Sequence, residues 1–328
     1  MTSTGAYSWL GEAFCLTAAT GIDAGSALAR CGALDAPAAM TLEDAVRLSR
    51  SFDAGYPRLC LAKPCDKAVL LLEMSAAEGA RPEVLRALSA ETQAMSVLVA
   101  PEACHVALAV DGELVAGLDA RNPSVRWGSD PGRLSLDSGQ GACGALRLLE
   151  SFAGTPLTET LFAEPVTAAP LRPLLEDPPS LSGHEVRQLD PELARLLDRS
   201  DDATLRHVAV DQARWCARRA DVADEPLISA ALDAGMSRLV EDTESLGLLI
   251  RSWNEEGHVA GASLADPVGR DRMTAGLRRL AFLRAHAGNA VRAAMFPDAR
   301  TAAYCALSSL VTERIATRRQ DVLRLLGQ

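Results

Sequence analysis

No apolar run in the 328 residues approaches the roughly 18–20 needed to span a bilayer, which excludes a conventional helical membrane protein. The longest compact run, Ala68-Val69-Leu70-Leu71-Leu72, is strand-sized. Lysine is nearly absent. Lys63 and Lys67 are the only two, and arginine supplies the rest of the 33 basic residues, a bias that, with the high alanine content, looks like GC-rich codon usage and carries little mechanistic meaning. There is no basic excess either: the net charge of −10 argues against a general nucleic-acid binder, which carries a basic stripe. The first positive charge is Arg30, and residues 1–20 lack the basic start and continuous apolar stretch of a secretory signal, so a cytoplasmic location is expected. What the chain does have is apolar material. At 48% it excludes intrinsic disorder, and the length favours two domains.

The eight cysteines are irregularly spaced in a long chain expected to sit in a reducing compartment, so they read as buried thiols rather than disulfides. A zinc cluster would need Cys60 and Cys65 to meet Cys104 and His105. Adjacent residues on a strand point to opposite faces, so Cys104 and His105 cannot easily share an ion, and no metal is expected.

Two halves read differently. Residues 1–165 mix strands and helices. Strands are expected over 12–20, 58–62, 68–74, 94–100, 105–110 and 113–118, with Pro64 outside the ladder. The Asp111-Gly112 pair signals a hairpin because both residues tolerate positive φ. Helices are expected over 24–33, after the capping pattern at Thr41-Leu42-Glu43-Asp44, at Pro82 and over 145–152. This predicts an α+β domain with a largely antiparallel sheet of five or six strands. Residues 166–184, with Pro170, Pro173, Pro178 and Pro179, read as a proline-rich linker. Residues 185–328 predict an all-α bundle of five to seven helices, with N-cap signals at Asp190-Pro191 and Asp266-Pro267. Residues 1–165 carry 20 acidic and 12 basic residues, so an acidic module precedes a nearly neutral one.

Candidate chemistry is sparse. Gly139-Gln140-Gly141-Ala142-Cys143-Gly144 matches the dinucleotide-binding glycine pattern, but the polar Ser135-Leu136-Asp137 before it and the prolines after it deny it the strand–helix–strand context, so no cofactor is expected. His207 and Asp211 lie four apart on a helix and could pair as a general base with its orienting carboxylate, although such pairs usually only stabilise the helix. No G-x-S-x-G, H-E-x-x-H or Walker A motif is present. Tyr304, Leu307, Val311, Ile315, Val322 and Leu325 form an apolar stripe, read as one last helix about six turns long. Arg314, Arg318, Arg319 and Arg324 lie along it, where they could meet an acidic partner or simply favour a helix C-terminus. A stripe of that length needs a long cover, either the bundle itself or a second chain, and Leu307, Val311, Ile315, Arg314, Arg318 and Arg319 are its candidate interaction residues.

Several segments carry a resemblance. They are Tyr7-Ser8-Trp9, Phe14-Cys15-Leu16-Thr17 with Gly21-Ile22, Val84-Leu85-Arg86-Ala87-Leu88-Ser89, the Asp111-Gly112 hairpin, Gly128-Ser129-Asp130-Pro131, and Phe152-Ala153-Gly154-Thr155-Pro156-Leu157-Thr158. In order and spacing, residues 7–165 resemble an actinobacterial domain family of unknown function, often N-terminal and present in several paralogues per genome. The sequence departs from it near 58–75, where Arg58-Leu59-Cys60-Leu61 stands in place of an aromatic strand, and if that strand lines a recognition surface a different specificity is expected. The resemblance implies no activity and no catalytic residues. The second half is more loosely similar to the alanine-rich helical tails of other actinobacterial proteins.

Together these readings give an expectation: a non-catalytic cytoplasmic interaction or regulatory protein, by analogy of immunity or conflict-system type. It would dimerise or dock a protein partner through the helical half, without nucleic acid or membrane. The alternative is an enzyme or small-ligand binder with its site at the domain interface.

Overall fold

The computed structural model describes residues 5–33, 35–74, 77–101, 103–172, 185–234 and 243–328. The chain divides into two compact units, Met1–Glu176 and Asp177–Gln328.

In the first unit the strands are β1 (Phe14–Thr20), β2 (Ala38–Met40), β3 (Arg58–Pro64), β4 (Ala68–Glu73), β5 (Gln93–Ala100), β6 (Ala103–Val110), β7 (Glu113–Asp119), β8 (Asn122–Trp127) and β9 (Val166–Leu171). They form one sheet in the order β2-β9-β3-β4-β1-β5-β6-β7-β8, with every neighbouring pair antiparallel. The helices are α1 (Ala24–Arg30), α2 (Leu42–Ser49), α3 (Pro82–Leu88) and α4 (Gly141–Ala153). On one face, α1 and α3 bury Leu28, Val84, Leu85 and Leu88 against Ala19, Cys60, Ala62 and Leu71. On the other, α2 and α4 bury Ala45, Leu146 and Leu149 against Leu16, Leu61, Leu70 and Leu72. Covering both faces explains why β4 reads as an unbroken apolar run rather than an alternation.

Local chemistry sets the boundaries. Thr41 accepts the Asp44 N–H at 3.1 Å and starts α2. Asp111 and Gly112 take φ of 50° and 79°, the turn expected between β6 and β7. Pro64 is inside β3, not beyond it. It stands opposite Val69, while its neighbour Cys65 donates its N–H to the Ala68 carbonyl at 2.8 Å. Pairs alternate along an antiparallel ladder, so Pro64 occupies a position where no N–H is needed.

The sheet is wider than the sequence predicts because β2, β8 and β9 escaped the pattern. Residues 166–171, read as the start of a linker, form β9 between β2 and β3. Pro170 pairs with Leu59 beyond the end of β2, beside the isolated bridge between Leu171 and Ala33. Pro173, Pro178 and Pro179 lie outside the described residues.

The second unit is all-α, with nine helices among the described residues: α5 (Glu185–Leu189), α6 (Pro191–Arg199), α7 (Asp202–Arg219), α8 (Pro226–Ala234), α9 (Thr243–Ala262), α10 (Pro267–Arg272), α11 (Ala275–Ala294), α12 (Ala299–Thr312) and α13 (Ala316–Leu325). Asp190, Asp201, Asp266, Thr274 and Asp298 cap α6, α7, α10, α11 and α12 through their side-chain oxygens. One core joins α7, α8, α9, α11 and α12 around Ile250, Trp253 and Val291. A second joins α5, α6, α7, α12 and α13 around Val186, Leu197, Tyr304 and Val322. No helix among the described residues is long and apolar enough to cross a membrane.

The single six-turn terminal helix is not found. α12 ends at Thr312 and α13 begins at Ala316, because Arg314 adopts φ of 53°. Arg314 N–H donates to the Val311 carbonyl at 3.2 Å and Ile315 N–H to the Leu310 carbonyl at 3.3 Å. This is a Schellman ending, with arginine where glycine is usual.

Candidate functional site

The α12–α13 turn builds a groove. Leu310 and Val311 come from the last turn of α12, Arg314 and Ile315 from the turn itself, and Ala316 and Arg319 from the start of α13. Leu189 and Asp190 close the other side, and the groove holds about 390 Å³. Leu189 is 58% exposed. Val311 and Ile315 are half-buried, with one side packed on the core.

The arginines divide the electrostatic work. Arg319 donates to Asp190 at 3.0 Å and to Glu192 at 2.7 Å. Asp190 meanwhile caps α6 through the Leu193 N–H at 3.1 Å. The Arg319 hydrogen bond holds the Asp190 carboxyl below its usual range, so it stays charged at neutral pH. Arg314 is exposed, and no side-chain hydrogen bond or ion pair engages it among the described residues. The groove therefore pairs an apolar floor with one cation whose charge is not compensated.

Arg318 and Leu307 do not line the groove. Leu307 is fully buried in the core. Arg318 is 6% exposed and runs inward, where it donates to the Gln212 Oε1 at 2.9 Å, forms an ion pair with Asp211, and lies 5.8 Å from the centroid of the Trp215 ring. The reading as cations at a helix C-terminus fails for Arg318 and Arg319. The break at Arg314 puts Arg318 and Arg319 in the first turn of α13, where the dipole opposes them and carboxylates hold them instead. Arg324 lies in the last turn of α13, and Arg314 directly follows the C-cap of α12.

His207 and Asp211 are not brought together as a general-base pair. His207 is exposed, and Asp211 turns to Arg318. The glycine motif has a packing role. A Cβ on Gly144 would lie 2.7 Å from the Leu136 side chain, Gly139 and Gly141 take φ of 91° and 51°, and no strand precedes α4 directly. Cys60 and Cys104 face opposite sides of the sheet, and four strand spacings, about 19 Å, separate β3 from β6. No group of three His, Cys, Asp or Glu side chains that could hold a metal exists among the described residues.

One polar cluster went unread in the sequence. Cys60, Glu73 and Cys15 stand in register on three adjacent strands. Glu73, 1% exposed, accepts the N–H groups of Glu78 at 2.9 Å and Gly79 at 2.8 Å. Burial pushes its carboxyl up to about 7, against the lowering effect of those two donors. Burial likewise pushes the Cys15, Cys31 and Cys60 thiols up. Glu78 pairs with Arg81 at 2.8 Å and Arg58 at 3.6 Å. The available signal was a lone acid ending the apolar run Ala68–Leu72.

No family model matches the chain, and no curated protein or solved structure is significantly similar to it.

Proposed function

We propose that the protein is a non-catalytic, cytoplasmic interaction or regulatory protein whose helical unit docks an acidic, apolar segment of a partner protein in the α5–α12–α13 groove. The observation that carries this reading is the juxtaposition of Arg314, without a carboxylate of its own, with the apolar Leu189, Val311 and Ile315. A partner's apolar side chains would cover the floor, and its carboxylate would meet the guanidinium. Arginine is among the residues in which interface energy concentrates, and the apolar floor beside Arg314 would exclude water from its contact. The chain's overall charge of −10 would repel an acidic segment elsewhere, so Arg314 would set its register.

The test compares the full chain with its Arg314→Glu and Arg314→Lys variants, using light scattering and capture of bound chains. The expected result is a heterologous chain that Arg314→Glu loses and Arg314→Lys keeps, at an unchanged melting temperature. A doubled mass that Arg314→Glu halves would mean that the groove pairs two copies of this chain instead. Equal capture by all three forms would remove the groove from the account.

A further inference from the structure

The residue before Arg314 belongs to a different cleft. Glu313, the C-cap of α12, lines a space of about 490 Å³ together with Arg219 at the end of α7, Leu264 after α9, and one face of α11. That volume lies within the range of small-molecule sites. The α11 face has a polarity order fixed by the helix. Arg278 and Arg279 come first, Phe282 and Leu283 one turn later, and His286 one turn beyond them. At 1.5 Å per residue, Arg279 and His286 stand about 10 Å apart along the axis.

The cations at the two ends differ in what already engages them. At the far end Arg219 donates to Glu313, and the His286 Nε2 lies 3.8 Å from the same carboxylate. At the near end Arg278 donates to the backbone carbonyls of Arg270 and Met273. Arg279 is exposed, and among the described residues no hydrogen bond or ion pair holds its side chain. Three arginines against one glutamate also make this a positive site in a chain of net charge −10.

We infer that this cleft binds a small organic monoanion with an apolar body, the anionic head on Arg279 and the body along Phe282 and Leu283 toward His286. Inorganic anions would lack the body that the apolar middle can cover. Neutral amphiphiles would leave Arg279 without a counter-charge. Arg219 at the far end is already paired with Glu313, so among the described residues Arg279 offers the cleft's one exposed counter-charge, which is why a monoanion rather than a dianion fits.

Isothermal titration of the full chain with octanoate, 1-octanol and acetate separates head from body. The inference expects saturable octanoate binding at one site per chain, with 1-octanol and acetate each at least five-fold weaker. Arg279→Gln should weaken octanoate at least five-fold at an unchanged melting temperature, and Arg279→Lys should restore most of it. Phe282→Ala should weaken octanoate and leave acetate unaffected. Equal binding of octanoate and 1-octanol, an unchanged affinity in Arg279→Gln, or no octanoate binding would overturn the inference. None of these outcomes depends on a protein partner in the neighbouring groove, because Arg279 and Phe282 do not line it.

Discussion

Glu73 places a titratable proton inside the sheet unit. The folded state holds that proton up to a pH of about 7, the unfolded chain only to about 4.5. Between those values the folded state binds more protons, so the stability contributed by neutral Glu73 is fully present below about pH 4.5 and is lost as pH rises through 7. The effect is about 3 kcal/mol for a shift of this size. Glu73→Gln cannot ionise, so its melting temperature should gain on the wild type between pH 5 and pH 8. Parallel profiles would refute the assignment. Arg318 gives a second residue-scale prediction. Arg318→Ala leaves Asp211 and Gln212 without their guanidinium and should cost about 3 kcal/mol in urea unfolding, the low end for a broken buried pair because Asp211 keeps partial access to water. Arg324→Ala, whose ion pair with Asp321 is exposed, should cost under about 1 kcal/mol. Buried Cys15, Cys31 and Cys60 should resist iodoacetamide in the native protein, while Cys65, Cys143 and Cys305 react first. At this scale the sequence was least legible. Burial of cysteines is a property of the residue type, but nothing in Arg318 itself says that it points inward.

Among the elements, the break between α12 and α13 matters most. The apolar spacing runs through it without interruption, because a Schellman ending brings the residue after the left-handed position against the one that begins its last turn. Here those residues are Ile315 and Leu310, both apolar. The pattern of one long helix and that of two helices joined by this turn are therefore the same in sequence. Only a glycine at 314 would have announced the stop, and arginine stands there. Arg314→Gly should relieve the left-handed conformation and stabilise the helical unit by about 1 kcal/mol, measured by urea unfolding, while abolishing docking. Destabilisation would show that the Arg314 side chain contributes to the fold. The first unit shows the complementary case. The Thr41 cap, the Asp111-Gly112 turn and the central strands were legible because each has a local chemical cause. β9 was missed because proline was read as a linker residue, whereas Pro170 lies past the end of β2, next to the short outermost strand of the sheet.

For the whole molecule, composition foretold two units of different class, and the architecture follows it: one antiparallel sheet covered on both faces, then two helical cores that share α7 and α12. Produced separately, residues 1–176 and 177–328 should each unfold cooperatively, as units with their own cores do. A fragment without a cooperative transition would contradict that division. The candidate interaction stripe was legible as a stripe, but its partition was not, since periodicity cannot tell which side of a helix a later break will uncover. Leu307 went to the core, Arg318 to an internal ion pair, and Val311, Arg314 and Ile315 to the groove. The central claim, that this groove receives a partner protein, is tested most directly by photo-crosslinking in cells. A photoreactive residue at 189 would be compared with one at 248, an equally exposed leucine on α9. The account predicts an adduct with one heterologous chain from position 189 only, lost when Arg314→Glu is introduced in the same protein. Adducts of equal yield from both positions, an adduct only with a second copy of this chain, or none from position 189 would contradict it.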